Sequence, residues 1–490
     1  MKKSIQSTRV GSTDRPGAAS PSQNTKPQIE RSVMPFWVWL VVACFAPLPA
    51  ARAVDPAPAS LDAEIVNMIG QIDVNRTATD IQALVGFGTR NTCSNNGSGV
   101  AGIGGARDWI RTELAALPGL QVVLDPWTCT SCGDTRTVHN VVGWIPGSGH
   151  PNRLIVISGH YDSRNSNATD PIGAAPGAND SGSQTALVLE AARVMAGHSF
   201  DATVVFAAWS GEEQGSFASK AFVQHFRNYF PTGTSEMNFN ADIVGGDNTV
   251  NNSTNLQQFR LFSPGTPREL SSTAVGSTDD TSPSRGFMRS IGYWGGAYVP
   301  SMVMLPQLRE DRPGRQSDQR SFIAKGIPAI RFIDVNENPK HQHTANDLYA
   351  YVTPSFTARI TQVVVASAAN LARAPTPPRN FVASGVTSSS IKVTWALPAS
   401  GAPVDHYVIS ARPYSQNFYR TRFLTPAGST SATVQITQDL GIPSGTPYYV
   451  SVAAVDATGH ESLYAYPEYR CDETNVCSAP RDALNVTATK

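Results

Sequence analysis

GHYDS at 159–163, GANDSGS at 177–183 and WSGEEQG at 209–215 are the stretches around which the rest of the chain is organised. The first follows the apolar run RLIVIS at 153–158, and the third overlaps the end of the apolar run ATVVFAAW at 202–209. Between these runs, Ser181 is a suitable N-cap for a helix to Met195, whose apolar residues recur at helical spacing. Strand, helix and strand in this order predict an α/β fold with polar residues at the carboxyl ends of the strands.

The polar residues at these strand ends have the chemistry of a hydrolytic metal centre. Two later fragments, MNFNADIVGG and HTANDL, add to the set, which comprises His160, Asp180, Glu212, Glu213, Asp242 and His343. Imidazole and carboxylate suit zinc, and several carboxylates together can hold two ions. The sequence therefore predicts a zinc site where three strand ends converge.

In this order and context, the six residues resemble the co-catalytic di-zinc aminopeptidases, which are zinc-dependent exopeptidases of the peptidase family M28 type. The resemblance covers roughly residues 60–373 and is specific, because separate fragments agree in order and residue type. It implies a catalytic domain built as a three-layer α/β/α sandwich with a mixed central sheet. The same family also includes glutaminyl cyclases and the metal-free transferrin-receptor ectodomain.

The resemblance also implies a role for each metal ligand. Asp180 would bridge two zinc ions, Zn2+, per chain. Glu213 and His343 would complete the coordination of one ion, and His160 and Asp242 would complete the coordination of the other. A family member with these residues would hydrolyse peptides through a hydroxide that bridges the two metals.

Two further carboxylates are expected to act beside the metals. By the same resemblance, Glu212 is the general base, which takes a proton from water and passes it to the leaving amine. Asp162 is expected to hold the second ring nitrogen of His160, because a histidine ligand usually donates that nitrogen to a carboxylate.

Each motif taken alone has an ordinary structural interpretation, such as a turn or a solvated surface. A non-catalytic protein that keeps the fold is disfavoured because every ligand position is filled by a competent side chain. A glutaminyl cyclase with a single zinc and a non-catalytic binding ectodomain remain as alternatives. A metal count separates them: two zinc ions per chain indicate the peptidase, one the cyclase and none the binding protein.

Length and charge bound the remaining possibilities. A chain of 490 residues predicts two or three domains. The chain has 38 Lys and Arg against 38 Asp and Glu, and seven of the basic but two of the acidic residues lie before residue 54. The remainder is therefore weakly acidic, which excludes nucleic acid as an expected partner.

The first 53 residues read as an export signal. A polar stretch precedes an apolar run from Phe36 to Ala46, which is too short to span a bilayer, and an Ala-x-Ala site ends at Ala53. We expect cleavage after Ala53, a secreted or periplasmic protein and no stable membrane span. Two alternatives stay open, lipid attachment at Cys44 and translation from Met34.

Five cysteines remain after such cleavage, and in an oxidising compartment they favour disulfides. Cys471 and Cys477 are expected to close a small loop in the tail at 471–490. Cys93 is expected to pair with either Cys129 or Cys132, which leaves one cysteine over.

The rest of the catalytic domain alternates helices and strands. Helices are predicted at 61–84, with a break at 75–80, at 103–117 and at 354–371, and strands at 120–124, 139–145, 256–263 and 326–334. The remainder of 245–320 is irregular, as functional loops often are. Its Ser317-Asp318 resembles a family Ser-Asp-His segment near the substrate pocket, with Gln319 in place of the histidine.

Charge near the site predicts which end of a peptide is cut. Glu212, Glu213 and Asp242 can hold the α-ammonium of a peptide with a free N-terminus. The motif loops are expected to offer no arginine that suits a C-terminal carboxylate. The reservation is a set of arginines in the irregular segment, which are Arg309, Arg312, Arg315 and Arg320.

A proline-rich linker, APTPPRN at 374–380, precedes a run of short strands. Trp395, Tyr407, Leu440 and Tyr449 in this region resemble a fibronectin type III domain over residues 377–470. The linker predicts two separately folded units, with a second one that serves as a spacer or binds a surface or polymer.

Overall fold

The computed structural model describes residues 60–99, 101–264, 281–312, 315, 317–385, 387–419, 421–474 and 476–479. The predicted export signal, its cleavage after Ala53 and the alternative lipid site at Cys44 lie outside these residues, as do residues 480–490 of the tail. Among the described helices, none is both long enough and apolar enough to cross a membrane.

A mixed eight-stranded sheet lies at the centre of the described catalytic domain. Its strands are β1 (Gln121–Cys129), β2 (Arg136–Ile145), β3 (His150–His160), β4 (Ala202–Trp209), β5 (Thr234–Ala241), β6 (Gln258–Phe262), β7 (Val303–Gln307) and β8 (Ala329–Ile333). They lie in the order β1-β2-β4-β3-β5-β8-β6-β7, and β4, β3, β5 and β8 are mutually parallel. All residues of β4 and β8 are buried, as expected for parallel strands covered on both faces.

Helices cover this sheet. Those in the described residues are α1 (Ala63–Gly70), α2 (Val74–Gly86), α3 (Gly102–Ala115), α4 (Gln184–Met195), α5 (Phe217–His225), α6 (Pro283–Tyr298), α7 (Gln319–Ile323) and α8 (Pro354–Arg373). α4 and α8 contact each other, β3 and β4, whereas α5 and α7 contact each other and reach β1 and β5. The sheet therefore lies between helical layers, which confirms the predicted α/β/α sandwich.

Two helix boundaries differ from the prediction because of side-chain caps and a π-turn. The break at 75–80 is wrong, since Asp73 caps α2 by accepting the N–H of Asn75, and residues 75–80 lie inside that helix. α4 begins at Gln184 and not at Ser181, because one turn of π-helix covers Ala178–Ser183.

The sequence analysis missed α6 and β7 in the segment at 245–320. α6 has ordinary start signals, since Ser282 accepts the N–H of Arg285 and Pro283 is its first residue. Its glycines lower helical propensity and hide the apolar period. Burial of Phe287 and Ile291 in the core stabilises the helix in spite of this.

The C-terminal region folds as a β-sandwich. Its strands are β9 (Arg379–Ser384), β10 (Ser390–Ala396), β11 (Val404–Pro413), β12 (Phe423–Pro426), β13 (Ser431–Gln435), β14 (Tyr448–Asp456), β15 (Tyr469–Cys471) and β16 (Cys477–Ser478). They form two antiparallel sheets, β13-β10-β9 and β12-β11-β14-β15-β16. The rings of Trp395 and Tyr407 lie 5.3 Å apart in the core between them.

The catalytic domain and the β-sandwich are in contact, which the proline-rich linker alone did not predict. The described residues of both domains belong to one compact unit. The amide of Asn370 on α8 donates to the carbonyl of Glu461 at 3.0 Å, and His460 Nε2 lies 2.8 Å from Asp62 Oδ2. Leu463 of the β-sandwich region belongs to the hydrophobic core of the catalytic domain.

Cys93 pairs with Cys132, and Cys471 pairs with Cys477. Cys129 is free and buried, with its sulfur 3.5 Å from Cys132 Sγ. The two partners that the sequence left open for Cys93 are therefore adjacent, and tertiary packing decides between them.

Candidate metal centre

The five candidate ligands lie at one edge of the sheet. His160 is the last residue of β3, and Asp242 directly follows β5. Glu213 lies in the turn after β4, Asp180 in the π-turn before α4, and His343 in the loop after β8. Because β3, β4, β5 and β8 are parallel, their carboxyl ends meet here, as the motifs predict.

The turn that carries Asp180 is tightly held. Gly177 has a φ of 52°, and a Cβ at this position would lie 2.7 Å from the carbonyl oxygen of Asp180. Asp347 accepts the N–H groups of Asn179 and Asp180 at 2.9 and 2.8 Å, and burial raises the pKa of Asp347 to about 7. Gln342 Nε2 donates to Asp180 Oδ2 at 3.0 Å. Asp347 lies within the HTANDL fragment but was not singled out, because its contacts are local to the folded turn.

Among the described residues, two groups of three could each hold a metal ion, and Asp180 belongs to both. In the first, His160 Nε2 lies 3.2 Å from Asp180 Oδ1 and 3.6 Å from Asp242 Oδ1. In the second, His343 Nε2 lies 3.1 Å from Asp180 Oδ2 and 3.3 Å from Glu213 Oε2. Within each group, the candidate ligand atoms lie within 4.8 Å of one another. The two oxygens of Asp180 thus face different histidines.

Some of these atoms are buried without a hydrogen bond. His160 Nε2 and Glu213 Oε1 have no hydrogen-bond partner among the described residues. Leaving a buried polar atom unpaired costs about 1–3 kcal/mol. Coordination to a cation would satisfy both atoms, and imidazole nitrogen with carboxylate oxygen is a donor set that fits zinc.

The carboxylates and imidazole of the centre perturb one another strongly. Burial, together with neighbouring carboxylates, raises the pKa of both Glu212 and Glu213 well above the usual range. Burial alone would lower the pKa of His160, but the surrounding carboxylates raise it well above its usual value. Concentrated negative charge in a buried site attracts a cation.

The other two carboxylates are held ionised by their partners. Burial would raise the pKa of Asp180, but His160 and His343 hold it well below the usual range. Burial also acts on Asp242, where Arg331 and His160 together lower the pKa to about 2.

Asp162 positions two parts of the centre. Its backbone carbonyl lies 3.1 Å from His160 Nδ1, whereas its carboxylate Oδ1 lies 3.4 Å away. The carboxylate accepts the N–H groups of Glu212 and Glu213 at 3.2 and 3.1 Å. The carbonyl is therefore the nearer acceptor for the imidazole, and the carboxylate chiefly holds the Glu212–Glu213 turn.

Two arginines at the centre were missed by the sequence analysis. Arg331 NH2 lies 3.0 Å from Asp242 Oδ2. Arg164 Nε lies 2.9 Å from Glu213 Oε2, and its NH2 lies 2.6 Å from His343 Nδ1. A usable signal existed for both, since Arg331 interrupts an apolar strand and Arg164 directly follows GHYDS. The expectation that the motif loops offer no suitable arginine overlooked Arg164.

The arginines of the irregular segment mostly contact nearby carboxylates or face solvent. Arg315 NH2 lies 2.7 Å from Glu337 Oε2, and the side chain of Arg312 is 61% exposed. Burial lowers the pKa of Arg315, but the carboxylates of Asp242 and Glu337 raise it above its usual value.

The Ser317-Asp318-Gln319 segment is buried beside the sheet. Asn240 Nδ2 donates to Ser317 Oγ at 2.9 Å and to Gln319 Oε1 at 3.3 Å. Neither carboxylate oxygen of Asp318 has a hydrogen-bond partner in the described part of the chain, and burial raises its pKa to about 7. Gln319 is thus engaged with β5 through Asn240.

Two residues of the centre have backbone conformations that side chains rarely adopt. His343 has a φ of 56°, and Ile243, next to Asp242, has a φ of 63°. Such residues cost on the order of 1–3 kcal/mol each and cluster at functional sites.

Comparison with known proteins places the chain in a family. A model of peptidase family M28 matches residues 140–368, and a model of the fibronectin type III domain matches residues 376–468. A probable zinc metalloprotease of Pyricularia oryzae is 34% identical over 407 residues, which are 77% of this chain and 80% of the relative. The chain belongs to peptidase family M28. A probable zinc metalloprotease of Leptosphaeria maculans is 33% identical over 380 residues, 73% of this chain and 87% of the relative.

Solved structures agree with this M28 assignment at the level of the fold. The LapA aminopeptidase of Legionella pneumophila has a TM-score of 0.50 at 19% identity, covering 70% of this chain and 80% of that one. Family and fold together make the protein a zinc-dependent peptidase of the M28 type with a C-terminal fibronectin type III domain.

Proposed function

We propose that this M28 peptidase is an exported di-zinc aminopeptidase that removes residues from peptides with a free N-terminus. The observation that carries the proposal is the placement of Asp180, whose Oδ1 and Oδ2 face His160 and His343 at 3.2 and 3.1 Å. A carboxylate between two histidine-containing groups suits two ions and would be excessive for one.

The residues present fit two zinc ions. Asp180 would be shared, with His160 and Asp242 on one ion and Glu213 and His343 on the other. When bound, the zinc ions supply Lewis-acid polarisation of the scissile carbonyl and lower the pKa of water. Arg331, held against Asp242, and Asp347, held against the Asp180 turn, keep two of these carboxylates in place.

Glu212 acts as the general base in this proposal. Its backbone is fixed by the hydrogen bond to Asp162, and it belongs to neither group of candidate ligands in the described residues. It is half-buried, and burial together with neighbouring carboxylates raises its pKa. The side chain is therefore positioned to accept a proton from water and return it to the leaving amine.

The preference for a free N-terminus rests on charge. The centre collects the carboxylates of Glu212, Glu213 and Asp242, and these favour an α-ammonium beside the scissile bond. We expect stepwise release of residues from free peptides and no cleavage of their N-acetylated forms. Release of C-terminal residues from an N-blocked peptide would contradict the aminopeptidase assignment.

A metal count with activity before and after chelation is the decisive experiment. Two zinc ions per chain with chelation-sensitive activity support the proposal. One zinc with cyclisation of N-terminal glutamine would favour the single-zinc glutaminyl cyclase. A zinc-free protein without activity would favour a binding ectodomain.

Export and the role of the C-terminal domain are further parts of the proposal. The two disulfides suit an oxidising compartment. We expect the mature chain to begin after Ala53, and N-terminal sequencing of the secreted protein tests this. The fibronectin type III domain is proposed to bind a surface or polymer, which a pull-down with insoluble polymers by the catalytically silent E212Q variant tests.

A further inference from the structure

Arg164 is a cation placed directly against two of the residues proposed to bind zinc. Its Nε lies 2.9 Å from Glu213 Oε2, and its NH2 lies 2.6 Å from His343 Nδ1. The side chains of Arg164 and His343 are 23% and 25% exposed, whereas that of Glu213 is 3% exposed. The arginine therefore lies on the open side of the centre, where a substrate enters.

The contact with His343 is incompatible with a metal ion on the same imidazole. His343 Nε2 faces Asp180 and Glu213 at 3.1 and 3.3 Å, so Nε2 is the nitrogen available to a metal. A neutral imidazole that gives its Nε2 lone pair to a metal carries its hydrogen on Nδ1, and a guanidinium group only donates. Two donors would then face each other, so Arg164 has to leave Nδ1 when a metal binds.

After that move, Arg164 needs a new anionic partner. A zinc ion on Glu213 would take up the negative charge that Arg164 now faces at 2.9 Å. The guanidinium then adds a surplus positive charge on the open side of the centre. A planar guanidinium matches a carboxylate with two parallel hydrogen bonds.

We propose that Arg164 binds the C-terminal carboxylate of a dipeptide, and that dipeptides are the preferred substrates; this inference rests on the proposed peptidase function. Three bonds join the scissile carbonyl carbon to the carboxyl carbon of a dipeptide, a path of about 4 Å. Each further residue moves the carboxylate away by about 3.3–3.6 Å. Since Arg164 contacts a proposed zinc ligand at 2.9 Å, the shortest peptide places its carboxylate within reach.

Binding measurements test the carboxylate contact without relying on turnover. In the zinc-loaded E212Q background, calorimetry compares leucylglycine with its C-terminal amide. Adding Arg164→Met is expected to lower the affinity for leucylglycine about tenfold and so to remove most of the preference over the amide. Arg164→Lys keeps the charge without the planar fork and is expected to retain an intermediate preference. Arg312→Met, which removes an exposed arginine of the irregular segment, is the matched control and should leave the preference unchanged.

Zinc affinity gives a second readout. If Arg164 competes for Glu213 and His343, then apoprotein with Arg164→Met should take up its second zinc about tenfold more tightly against a competing chelator. In the active enzyme, the loss caused by the same change should appear in KM for leucylglycine more than in kcat.

Three results would overturn the inference: equal affinity of the parent protein for leucylglycine and its amide, a preference that survives in both Arg164 variants, or weaker zinc binding in Arg164→Met. A wild-type protein that cleaves no peptide with a free N-terminus would instead contradict the proposed function. The affinity ratio would still decide whether Arg164 binds a carboxylate.

Discussion

Two buried charge clusters in this chain are built from similar residues but differ in how completely their charges are paired. At the domain interface, Glu468 contacts Arg412 at 2.5 Å and Arg289 at 3.2 Å, and it accepts a hydrogen bond from the hydroxyl of Tyr419. In the metal centre, by contrast, His160 Nε2 and Glu213 Oε1 find no hydrogen-bond partner within the described part of the chain.

The difference separates a structural cluster from a binding site. Burial would raise the pKa of Glu468, but Arg289 and Arg412 lower it below its usual value, so the carboxylate stays ionised and paired. Burial raises the pKa of Glu213 instead, with the neighbouring Asp180 and Glu212 adding to the shift. The carboxylate of the first cluster is paired with cations of the protein itself, whereas the second cluster is stabilised by an added cation.

Removing the shared carboxylate should have the largest effect. We expect Asp180→Ala to lose most bound zinc and all measurable activity, because both groups of candidate ligands depend on it. Metal analysis by mass spectrometry and peptide hydrolysis measure the two losses. Asp405→Ala, which changes an exposed carboxylate of the C-terminal domain, is the control. A variant that keeps two zinc ions per chain would contradict the shared-ligand role.

Removing the proposed base should separate activity from metal content. We expect Glu212→Gln to lower kcat by about 10²–10⁴ while zinc content stays at the wild-type level. Glu213→Gln should lose zinc as well as activity, because Glu213 is a candidate ligand. If Glu212→Gln removed zinc from the centre and Glu213→Gln did not, the two roles would be reversed.

Breaking the paired cluster should affect stability and leave zinc in place. We expect Glu468→Gln to lower the free energy of unfolding by about 3–5 kcal/mol, because it leaves two buried arginines short of their countercharge. Denaturant unfolding measures this, and Glu473→Gln at an exposed position is the control. A fall in the free energy of unfolding of less than about 1 kcal/mol would show that the ion pairs of Glu468 contribute no more than ordinary surface ion pairs.

Deleting everything after Ala374 tests how much the whole interface between the two domains stabilises the catalytic domain. The deletion removes the contacts that Asp62, Asn370 and Arg289 make with the C-terminal domain. We therefore expect a truncated protein that is at least as destabilised as Glu468→Gln. Retained stability and activity would show that the domains fold independently, as the linker alone suggested.

The smallest expected effect is a pH dependence at the same interface. His460 lies 2.8 Å from both Asp62 and Asp456; burial lowers its pKa, but the two carboxylates raise it above its usual value. A group whose pKa is raised on folding contributes stability below its unfolded pKa, about 6.5, and loses it as the pH rises through the folded value. We expect the free energy of unfolding of the wild-type protein to fall by on the order of 1 kcal/mol as the pH rises from about 6.5 through the folded pKa of His460.

His460→Asn should flatten this decline, and urea unfolding at several pH values between 5 and 9 measures it. His406→Asn, at a histidine paired with an exposed aspartate, is the control and should keep the decline. An unchanged pH dependence in His460→Asn would show that another group titrates.

Much of the centre was predictable because its signals are local. His160, Glu213 and Asp242 each follow an apolar run, and parallel strands bring such ends together without further information. The sequence marked Arg164 and Arg331 as unusual but could not give their partners, because these lie far along the chain. The Arg164 contact with His343, for example, joins residues 179 positions apart.

The sequence by itself determined the alternation of helices and strands in the catalytic domain, the donor types of the metal centre and the short strands that follow, because periodicity and motif spacing are properties of neighbouring residues. The three-layer sandwich and the fibronectin type III fold followed from the family resemblances. Only the tertiary structure decided that Cys93 pairs with Cys132, that the two domains share buried ion pairs and that Arg164 lies against His343. These outcomes depend on which distant side chains are buried together, and burial sets both the pairing of charges and their pKa values.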